Sequence, residues 1–392
     1  MSGKKKSICL VSPFAGGLLR GGGAPGGGGA ERQLVLIGQL LADRGWKVSF
    51  VCRAEDEMRS KLPLVDSRFQ VQGARFRYLG GAKRYLIPDL LNLVRAVQTS
   101  GASVVGLRGS GPYVLSVLLI LRLRGTKLVV WLQNDADLDP ARAKGGYTGI
   151  IGRTLSHTYT WLLKRADLLI SQTQSQYKAA RHLGAGNVMV VRSIAASPWR
   201  AQPDRTGLAQ NEGWILWAGN MTPNKRMRLV FELANKLPEQ RFAVAVNPGD
   251  VRMMADAERA AAGCGNVCFL GSLATEEMER WFDRATLVLN TSVVEGFPNS
   301  FLQAWIRGLP VISAGVDPDG IISKYGLGAV VAVKQGDAAE IEKLASRTRA
   351  IMTDSSLRQT LGQAGLAYVK ANHSPEVIGK QLDEALSELL HA

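Results

Sequence analysis

The sequence contains few of the residues that form disulfides or bind metals. Among its 392 residues there are four cysteines and four histidines. Cys264 and Cys268 are four residues apart, but neither a second cysteine pair nor a histidine stands near them, so a zinc site is not expected. Reduced thiols in a cytoplasmic protein are the interpretation that fits this distribution.

Long hydrophobic runs are also missing. The longest apolar stretch, residues 113–121, is much shorter than the roughly 20 residues that a membrane-spanning helix needs. The three lysines at residues 4–6 lead directly into a short apolar stretch, without the apolar core and cleavage site of a signal peptide. We therefore expect a protein without a membrane span, although it could still lie against a membrane surface.

Acidic residues are scarce in one half of the chain only. Residues 1–210 hold 30 Lys and Arg against 12 Asp and Glu, whereas residues 211–392 hold 18 against 21. Such a basic half favours a phosphorylated substrate, an anionic lipid surface or nucleic acid, and a solvated surface without a partner is the alternative. No recognised nucleic-acid-binding module is present, so we expect no nucleic-acid partner.

Apolar strands and amphipathic helices alternate along two blocks of the chain, with a linker at residues 197–213 between them. This alternation predicts an α/β protein of two tandem Rossmann-like, doubly wound domains that face a cleft. The first domain is assigned to residues 1–200 and the second to residues 201–372. The last helix, in residues 373–392, is expected to pack back toward the first domain, and residues 337–371 are also predicted to be helical.

The most informative segment is EGFPNSFLQAWIRGLPVIS, residues 295–313. The apolar runs before and after it are predicted to be buried parallel strands, with a helix between them that begins at Pro298 and Asn299. Glu295 would then project from the carboxyl end of a strand, beside the N–H groups of a helix N-terminus. This pattern predicts a site for an anionic ligand that carries hydroxyl groups.

Two further loops follow predicted strands. Lys225 and Arg226 open a helix after the strand at residues 214–220, a position suited to holding a diphosphate. Gly28 and Gly29 open a helix in the first half, where the backbone could approach a phosphate, although a ligand-free flexible loop explains them too. The glycine spacing does not match a dinucleotide-binding fingerprint, which disfavours a dehydrogenase.

Acidic residues cluster after a first-half strand, in WLQNDADLDP, residues 131–140. Asp135 could contact an incoming hydroxyl group or accept its proton. An Asp-rich turn or helix cap explains the cluster nearly as well. Since no second carboxylate cluster accompanies it, no metal site is predicted.

The GGAE helix opening, the Gly-x(5)-Lys loop at residues 219–225 and the 295–313 segment together resemble the GT-B fold glycosyltransferases of family 4. The resemblance spans nearly the whole chain. It implies a retaining, metal-independent enzyme of the hexosyltransferase type, with no cofactor. Such an enzyme moves a sugar from a nucleotide diphosphate donor to a hydroxyl of a glycan or lipid-linked acceptor, in cell-surface polysaccharide or glycolipid synthesis.

The same resemblance implies roles for individual residues. Glu295 would bind hydroxyls of the donor sugar, and Lys225 would be the cation at the diphosphate. Gly28 and Gly29 would approach the same phosphates from the first domain. The implied donor site is completed by further residues of the two second-half loops: Gly219, Asn220, Arg226, Gly296, Phe297, Pro298, Asn299, Ser300 and Gln303.

Three positions depart from the family pattern. Gln303 stands where the family has a second glutamate that grips the ribose, and Asn220 stands where a basic residue is common. None of the histidines falls at residues 133–135, where many members carry one. A front-face mechanism, in which the leaving phosphate takes the proton, would need no protein base.

The basic first half would then face the acceptor. Within residues 75–97, cationic and aromatic side chains interleave, which suits the interface of an anionic membrane. A half-buried strand with a solvated turn is the alternative. We expect the acceptor or membrane side to include Arg75, Arg77, Lys83, Arg84 and Tyr85.

One rival enzyme class would use the same fold. A sugar-nucleotide epimerase needs the donor site but no acceptor. It would also need more acid and base groups in the cleft, and the absence of a well-placed histidine disfavours it.

Overall fold

A computed structural model gives the structure of the protein. It describes residues 5–20, 28–53, 63–75, 87–108, 126–139, 149–195, 213–247, 251–334 and 336–391. The chain divides into two compact units: the first is Met1–Ile194 with Pro375–Ala392, and the second is Ala195–Ser374. Each unit is built on one parallel β-sheet with helices, so the predicted α/β class with two Rossmann-like sheets is confirmed.

The sheet of the first unit is parallel throughout. Its strands are β1 (Ser7–Val11), β2 (Lys47–Arg53), β3 (Gln70–Ala74), β4 (Val104–Arg108), β5 (Lys127–Trp131), β6 (Leu168–Ser171) and β7 (Val188–Val190). The strand order is β3-β2-β1-β4-β5-β6-β7, so the order reverses direction between β1 and β4. The strands are nearly continuous apolar runs because helices can cover both faces of a parallel sheet.

The sheet of the second unit repeats this plan with six strands. They are β8 (Trp214–Asn220), β9 (Arg241–Asn247), β10 (Val267–Gly271), β11 (Ala285–Asn290), β12 (Val311–Ser313) and β13 (Gly328–Val330). The order β10-β9-β8-β11-β12-β13 reverses between β8 and β11. Ligands of open α/β sheets bind beyond the carboxyl ends of the strands at such a reversal, so each unit has one favoured position for a site.

Helices connect these strands. In chain order the described α-helices are α1 (Gly29–Ala42), α2 (Ile87–Thr99), α3 (Gly149–Arg165), α4 (Gln174–His182), α5 (Arg228–Lys236), α6 (Val251–Ala262), α7 (Thr275–Arg284), α8 (Asn299–Trp305), α9 (Ile321–Tyr325), α10 (Ala338–Thr353), α11 (Ser355–Asn372) and α12 (Pro375–His391). Among the residues that the structure describes, no helix is long and apolar enough to cross a membrane.

The last helix, α12, belongs to the first unit. It packs against α1, and Asp383 of α12 accepts hydrogen bonds from Lys6 Nζ at 2.8 Å and Trp46 Nε1 at 2.7 Å. Lys6, Trp46 and its neighbour Arg44 lower the pKa of the Asp383 carboxyl, against the opposing effect of burial. The C-terminal segment therefore completes a unit that begins more than 300 residues earlier.

Two predicted elements differ from the structure. The sequence predicts two short strands within residues 69–79; the structure has β3 at Gln70–Ala74, and residues 76–79 lie outside the described part of the chain. The helical segment predicted over 337–371 consists of two helices, because the carboxylate of Asp354 caps α11 by accepting a hydrogen bond from Leu357 N at 2.9 Å. The sequence also predicts a helix at residues 112–123, and this segment lies outside the described residues together with nearly all of the linker predicted at 197–213.

Candidate functional site

The candidate site lies at the strand reversal of the second unit. Strands β8 and β11 are direct neighbours in the sheet, with Trp217 beside Leu289 in the parallel register. The loop after β8 carries Lys225, and the loop after β11 carries Glu295. Both loops leave the carboxyl edge of the sheet, where this fold class binds its ligands.

Lys225 and Glu295 form an ion pair. The ammonium Nζ of Lys225 donates to Oε1 of Glu295, and the hydroxyl of Ser292 donates to the same oxygen at 2.6 Å. The two side chains are only 22% and 17% exposed, so the pair is partly shielded from water. Within the described residues Oε2 of Glu295 has no hydrogen-bond donor, which leaves one carboxylate oxygen for a ligand hydroxyl.

The pair is positioned by Asn224, which the sequence reasoning missed. Its backbone carbonyl accepts from Val293 N at 2.9 Å, its amide oxygen accepts from Val294 N at 3.1 Å, and its amide nitrogen donates to Val294 O at 2.9 Å. Three hydrogen bonds thus join the two loops next to Lys225 and Glu295. The only sequence signal was an asparagine beside proline in a strand-end loop, a common turn residue. With these hydrogen bonds in place, the side chains of Val293 and Val294 are half exposed at the site.

Thr291 adds a second link between the loops. Its buried hydroxyl donates to the carbonyl of Lys225 at 2.5 Å and accepts from Trp217 Nε1 at 2.8 Å. The backbone of Lys225 is therefore held by the end of β11 as well as by its own turn. The backbone position from which the Lys225 side chain extends toward Glu295 is therefore fixed.

Arg226 makes backbone contacts that the sequence did not predict. Its guanidinium donates to the carbonyls of Thr291 at 2.6 Å and Ala314 at 2.6 Å, and also to those of Ser292 and Val333. Burial lowers the pKa of Arg226, and the charge of Glu340 opposes this. With its donors directed at strand-end carbonyls, Arg226 ties three loops together. The diphosphate role predicted for Lys225 and Arg226 stays a prediction.

The remaining predicted donor residues surround this pair. Gly219 lies under Lys225, since a Cβ built on it would come within 3.5 Å of Lys225 Cδ, and Asn220 is exposed at the end of β8. Helix α8 begins at Asn299 with Pro298 as its N-cap and no side-chain cap. Of the predicted loop, Gly296, Phe297 and Pro298 are buried, while Asn299 and Ser300 are partly exposed.

Gln303 belongs to a buried charge cluster. Its amide nitrogen donates to Glu279 of α7 at 3.3 Å, and its backbone carbonyl accepts from Arg307 at 3.2 Å. The guanidinium of Arg307 is 1% exposed and pairs with Glu279 at 2.6 Å and Asp283 at 2.7 Å. The side chain at position 303 therefore contacts the carboxylate of Glu279. This gives a physical reason for an amide where the family pattern has a second glutamate, because a carboxylate at position 303 would be repelled by the buried Glu279.

Replacing Gln303 with glutamate, which would restore the family pattern, is expected to destabilise the protein. Repulsion from Glu279 raises the folded-state pKa of the new carboxyl above its unfolded value of about 4.3. The destabilisation, about 1–2 kcal/mol, is therefore present at pH 7 and disappears as the pH falls below that unfolded value. Thermal unfolding at pH 7 and about pH 4 measures it, with Gln303→Met as the uncharged control. A Gln303→Glu variant as stable as the parent at pH 7 would contradict the charge argument.

The first-half residues that were predicted to contact ligands are described only in part. Gly28 N donates to the side chain of Glu31 at 2.8 Å, so this carboxylate lies at the start of α1, and Gly29 is exposed. Arg75 is exposed at the end of a described range. The other predicted acceptor or membrane residues lie outside the described part of the chain: Arg77, Lys83, Arg84 and Tyr85.

The acidic cluster after β5 contains two exposed aspartates, Asp135 and Asp139, and one buried turn residue, Asp137. Asp135 is exposed and accepts from Gln176 at 3.1 Å. Asp137 is 2% exposed, and its carboxylate accepts from the backbone N–H groups of Gln133 at 2.5 Å and Asn134 at 3.0 Å. The alternative of an Asp-rich turn therefore applies to Asp137. The contact of Asp135 with a ligand hydroxyl stays a prediction, since its carboxylate is exposed.

Protein-family comparisons match both units. Residues 28–193 match the family described as "Glycosyl transferase 4-like domain", and residues 212–354 match "Glycosyl transferases group 1". A viral protein that is named as a glycosyltransferase, ORF31 (virus isolate Australia/Victoria), is 28% identical over 130 residues. That match covers 33% of this chain and 37% of the viral protein, so the similarity spans little more than a third of the relative's length.

Solved structures share the complete fold. Sucrose-phosphate synthase from Thermosynechococcus elongatus superposes with a TM-score of 0.73 at 18% identity, covering 99% of this chain and 100% of that one. The pneumococcal O-GlcNAc transferase GtfA, in complex with UDP and GlcNAc, gives 0.67 at 10% identity with 100% of both chains. WaaG, a glycosyltransferase of lipopolysaccharide biosynthesis, gives 0.61 at 17% identity, with 95% and 98% covered. These values show a shared two-domain fold.

Proposed function

The chain belongs to the glycosyltransferases of GT-B fold, and on that premise we propose that it transfers a sugar from a nucleotide diphosphate donor to a hydroxyl group of an acceptor. The observation that carries this proposal is the Lys225–Glu295 pair at the strand reversal of the second unit. It combines a cation for a diphosphate with a carboxylate for sugar hydroxyls. The UDP and GlcNAc bound to the structural neighbour GtfA make UDP-sugars the first donors to test.

We propose that Lys225, rather than a metal ion, neutralises the charge that develops on the leaving diphosphate. Its ammonium is held by the turn after β8 and by Thr291, so it needs little rearrangement to meet a phosphate. Preorganised charge of this kind stabilises a transition state in which negative charge grows on the leaving group. Activity that survives complete chelation of divalent ions supports this assignment.

We further propose that the enzyme retains the configuration of the donor sugar and is of the hexosyltransferase type. In a front-face reaction the leaving phosphate accepts the proton of the acceptor hydroxyl, so no protein base is required. Asp135 is the first-unit carboxylate that could contact the acceptor, since it is exposed at the end of β5. The configuration of the new bond, read from the proton spectrum of the product, decides between retention and inversion.

The acceptor is proposed to be a glycan or a lipid-linked glycan of cell-surface polysaccharide or glycolipid synthesis. Support comes from the basic first half of the sequence and from the fold shared with WaaG. The exposed side chains of Val293 and Val294 offer apolar contact next to Glu295. Sugars present both hydroxyls and apolar faces, so this surface suits a carbohydrate.

A screen of nucleotide sugars by thermal unfolding tests the donor assignment. A ligand that binds only the folded state raises the melting temperature by mass action, so the true donor is expected to stabilise the protein more than its free nucleotide. Adding candidate acceptors should then release nucleotide diphosphate. A sugar-nucleotide epimerase would instead convert the donor without any acceptor. That outcome, or no stabilisation by any nucleotide sugar, would overturn the proposal.

We also propose that the first unit binds an anionic membrane surface through one face of α3. The helix GIIGRTLSHTYTWLLKR contains no acidic residue. Ile150 is 76% and Trp161 is 42% exposed, and Arg153 and Lys164 are exposed on the same stripe of the helix. Basic residues with an exposed tryptophan are typical of an interfacial helix.

Reversing the charges Arg153→Glu and Lys164→Glu is expected to reduce co-sedimentation with anionic vesicles by about thirtyfold or more, since each basic residue near such a surface contributes about 1 kcal/mol and each new carboxylate is repelled by it. Binding of the parent should weaken as salt rises, because screening shortens the range of the attraction. The matched control is Lys178→Glu with Lys370→Glu, two exposed lysines elsewhere. Equal binding to neutral and anionic vesicles, or an equal loss in the control, would contradict this face as the docking surface.

A further inference from the structure

A small cavity lies within the first unit, apart from the Lys225–Glu295 pair. It opens at the carboxyl ends of β4, β5, β6 and β7 and is lined by residues of α1 and α12 as well. The strand order of this sheet reverses between β1 and β4, so the cavity lies beside the position where this fold class binds ligands. Its apolar walls include Ile37, Trp131 and Leu382.

Arg108 is a buried cation in the wall of this cavity. It is the last residue of β4 and is 8% exposed, and its Nε has no hydrogen-bond partner among the described residues. Burial lowers the pKa of Arg108 to about 10, while the charges of Glu31 and Asp137 act in the opposite direction. The guanidinium is therefore still charged at neutral pH. A buried charged donor without a partner is costly, which is a reason to look for its ligand.

The amide side chains of the wall, Gln33 and Gln172, already have hydrogen-bond partners in the protein. The amide of Gln33 makes two hydrogen bonds to the backbone of Ile194, at 2.9 and 2.7 Å. The amide of Gln172 donates to Leu132 O at 2.6 Å and accepts from the hydroxyl of Ser193 at 2.5 Å. These bonds fix the shape of the wall. They leave the guanidinium Nε of Arg108 as a donor that the protein itself does not satisfy.

A second arginine lines the same cavity. Arg192 follows β7 and is half-buried, and it makes no hydrogen bond or ion pair within the described residues. No aspartate or glutamate is among the described residues that line the cavity. The lining itself therefore carries two guanidinium groups, and Glu31 and Asp137, whose charges act on Arg108, lie outside the lining.

We propose that this cavity binds a phosphate group through Arg108 and Arg192. Guanidinium groups recognise phosphate oxygens with paired hydrogen bonds, and a dianion matches two such cations. The cavity is small, so the proposed ligand is a single phosphate group and not a nucleotide. The phosphate is either inorganic or the terminal phosphate of an ester such as a sugar phosphate. The site rests on no assumption about the sugar donor.

Calorimetry on the full chain with inorganic phosphate, in a phosphate-free buffer and without any nucleotide sugar, tests the site. We expect saturable binding that Arg108→Met weakens by about ten- to hundredfold, the effect of losing charged hydrogen bonds. Arg108→Met without phosphate should unfold at the same or a higher temperature than the parent, because a buried unpaired charge is removed. Arg192→Gln, at a half-buried position, should fold normally and weaken binding several-fold.

The control is Lys178→Met, which removes one exposed positive charge from the same unit and should leave phosphate affinity unchanged. Titration with glucose 6-phosphate distinguishes the sources. Tighter binding than inorganic phosphate, lost in Arg108→Met, assigns the site to a phosphate ester, whereas equal or weaker binding assigns it to free phosphate. Phosphate affinity that survives both arginine substitutions, or that sodium chloride at equal ionic strength reproduces, would overturn the proposal whether or not the protein transfers sugars.

Discussion

Replacing Glu295 with alanine is expected to reduce sugar transfer by about 10- to 150-fold. Its Oε1 is held by Lys225 and Ser292, so Oε2 has a defined direction in which to accept a hydrogen bond from a donor-sugar hydroxyl. A charged hydrogen bond in a partly buried site contributes about 1.5–3 kcal/mol, which converts to that range of rates. Glu295→Gln should lose less, because an amide oxygen can still accept from Ser292 and from a hydroxyl.

Initial rates at saturating acceptor and varied donor concentration measure this effect. The matched control is Glu232→Ala, which removes a carboxylate of the same unit from an exposed pair with Arg228 four residues away. Such surface pairs contribute little to stability, so this variant should transfer sugar at the parental rate. Thermal unfolding of Glu295→Ala completes the test. An alanine variant that is unstable yet fully active would show that the carboxylate serves only the fold.

Separate replacements of Arg226 and Lys225 are expected to have different effects: the first should lower the stability of the fold, and the second should lower nucleotide affinity. Arg226→Ala should lower the free energy of unfolding by about 2–3 kcal/mol, because it removes charged hydrogen bonds to the carbonyls of Thr291, Ala314 and other strand ends. Arginine and alanine both carry a Cβ at the positive φ of 44° found at position 226, so backbone strain is unchanged and the difference reports the guanidinium.

Lys225→Ala should give the opposite result. Nucleotide diphosphate affinity is expected to fall about ten- to hundredfold because a charged partner is lost, with little change in unfolding temperature. Calorimetry with the nucleotide and thermal unfolding, applied to both variants, separate the two effects. A variant of Arg226 that stays stable but loses nucleotide affinity would reverse the assignment of the two basic residues.

Glu295 and Lys225 could be found from the sequence because their positions follow from local pattern. Each comes shortly after a buried apolar strand, and the carboxyl ends of parallel strands lie on one edge of a sheet. The sequence did not show that β8 and β11 are neighbours, since strand order depends on packing between elements that are about 70 residues apart. Their adjacency converts two separate predictions into one ion pair.

The roles of residues that depend on distant partners could not be predicted from the sequence. Asn224 is an ordinary turn residue until its bonds to Val293 and Val294 are seen. Gln303 is a departure from a family pattern until Glu279 is found beside it. Arg108 ends a buried strand, and only the folded unit shows that its Nε has no partner among the described residues.

By itself the sequence determined the α/β class, the alternation of strands and helices, the glycosyltransferase resemblance and the loops that carry the chemistry. These features follow from hydrophobic periodicity and from short motifs, which depend only on residues close together in the sequence. The tertiary structure alone decided which cations have partners. It directs Arg226 to backbone carbonyls, pairs Lys225 with Glu295, and leaves Arg108 in the wall of a cavity. The reason is physical: whether a charge is satisfied depends on burial and on atoms brought near by the fold, and neither is encoded in local spacing.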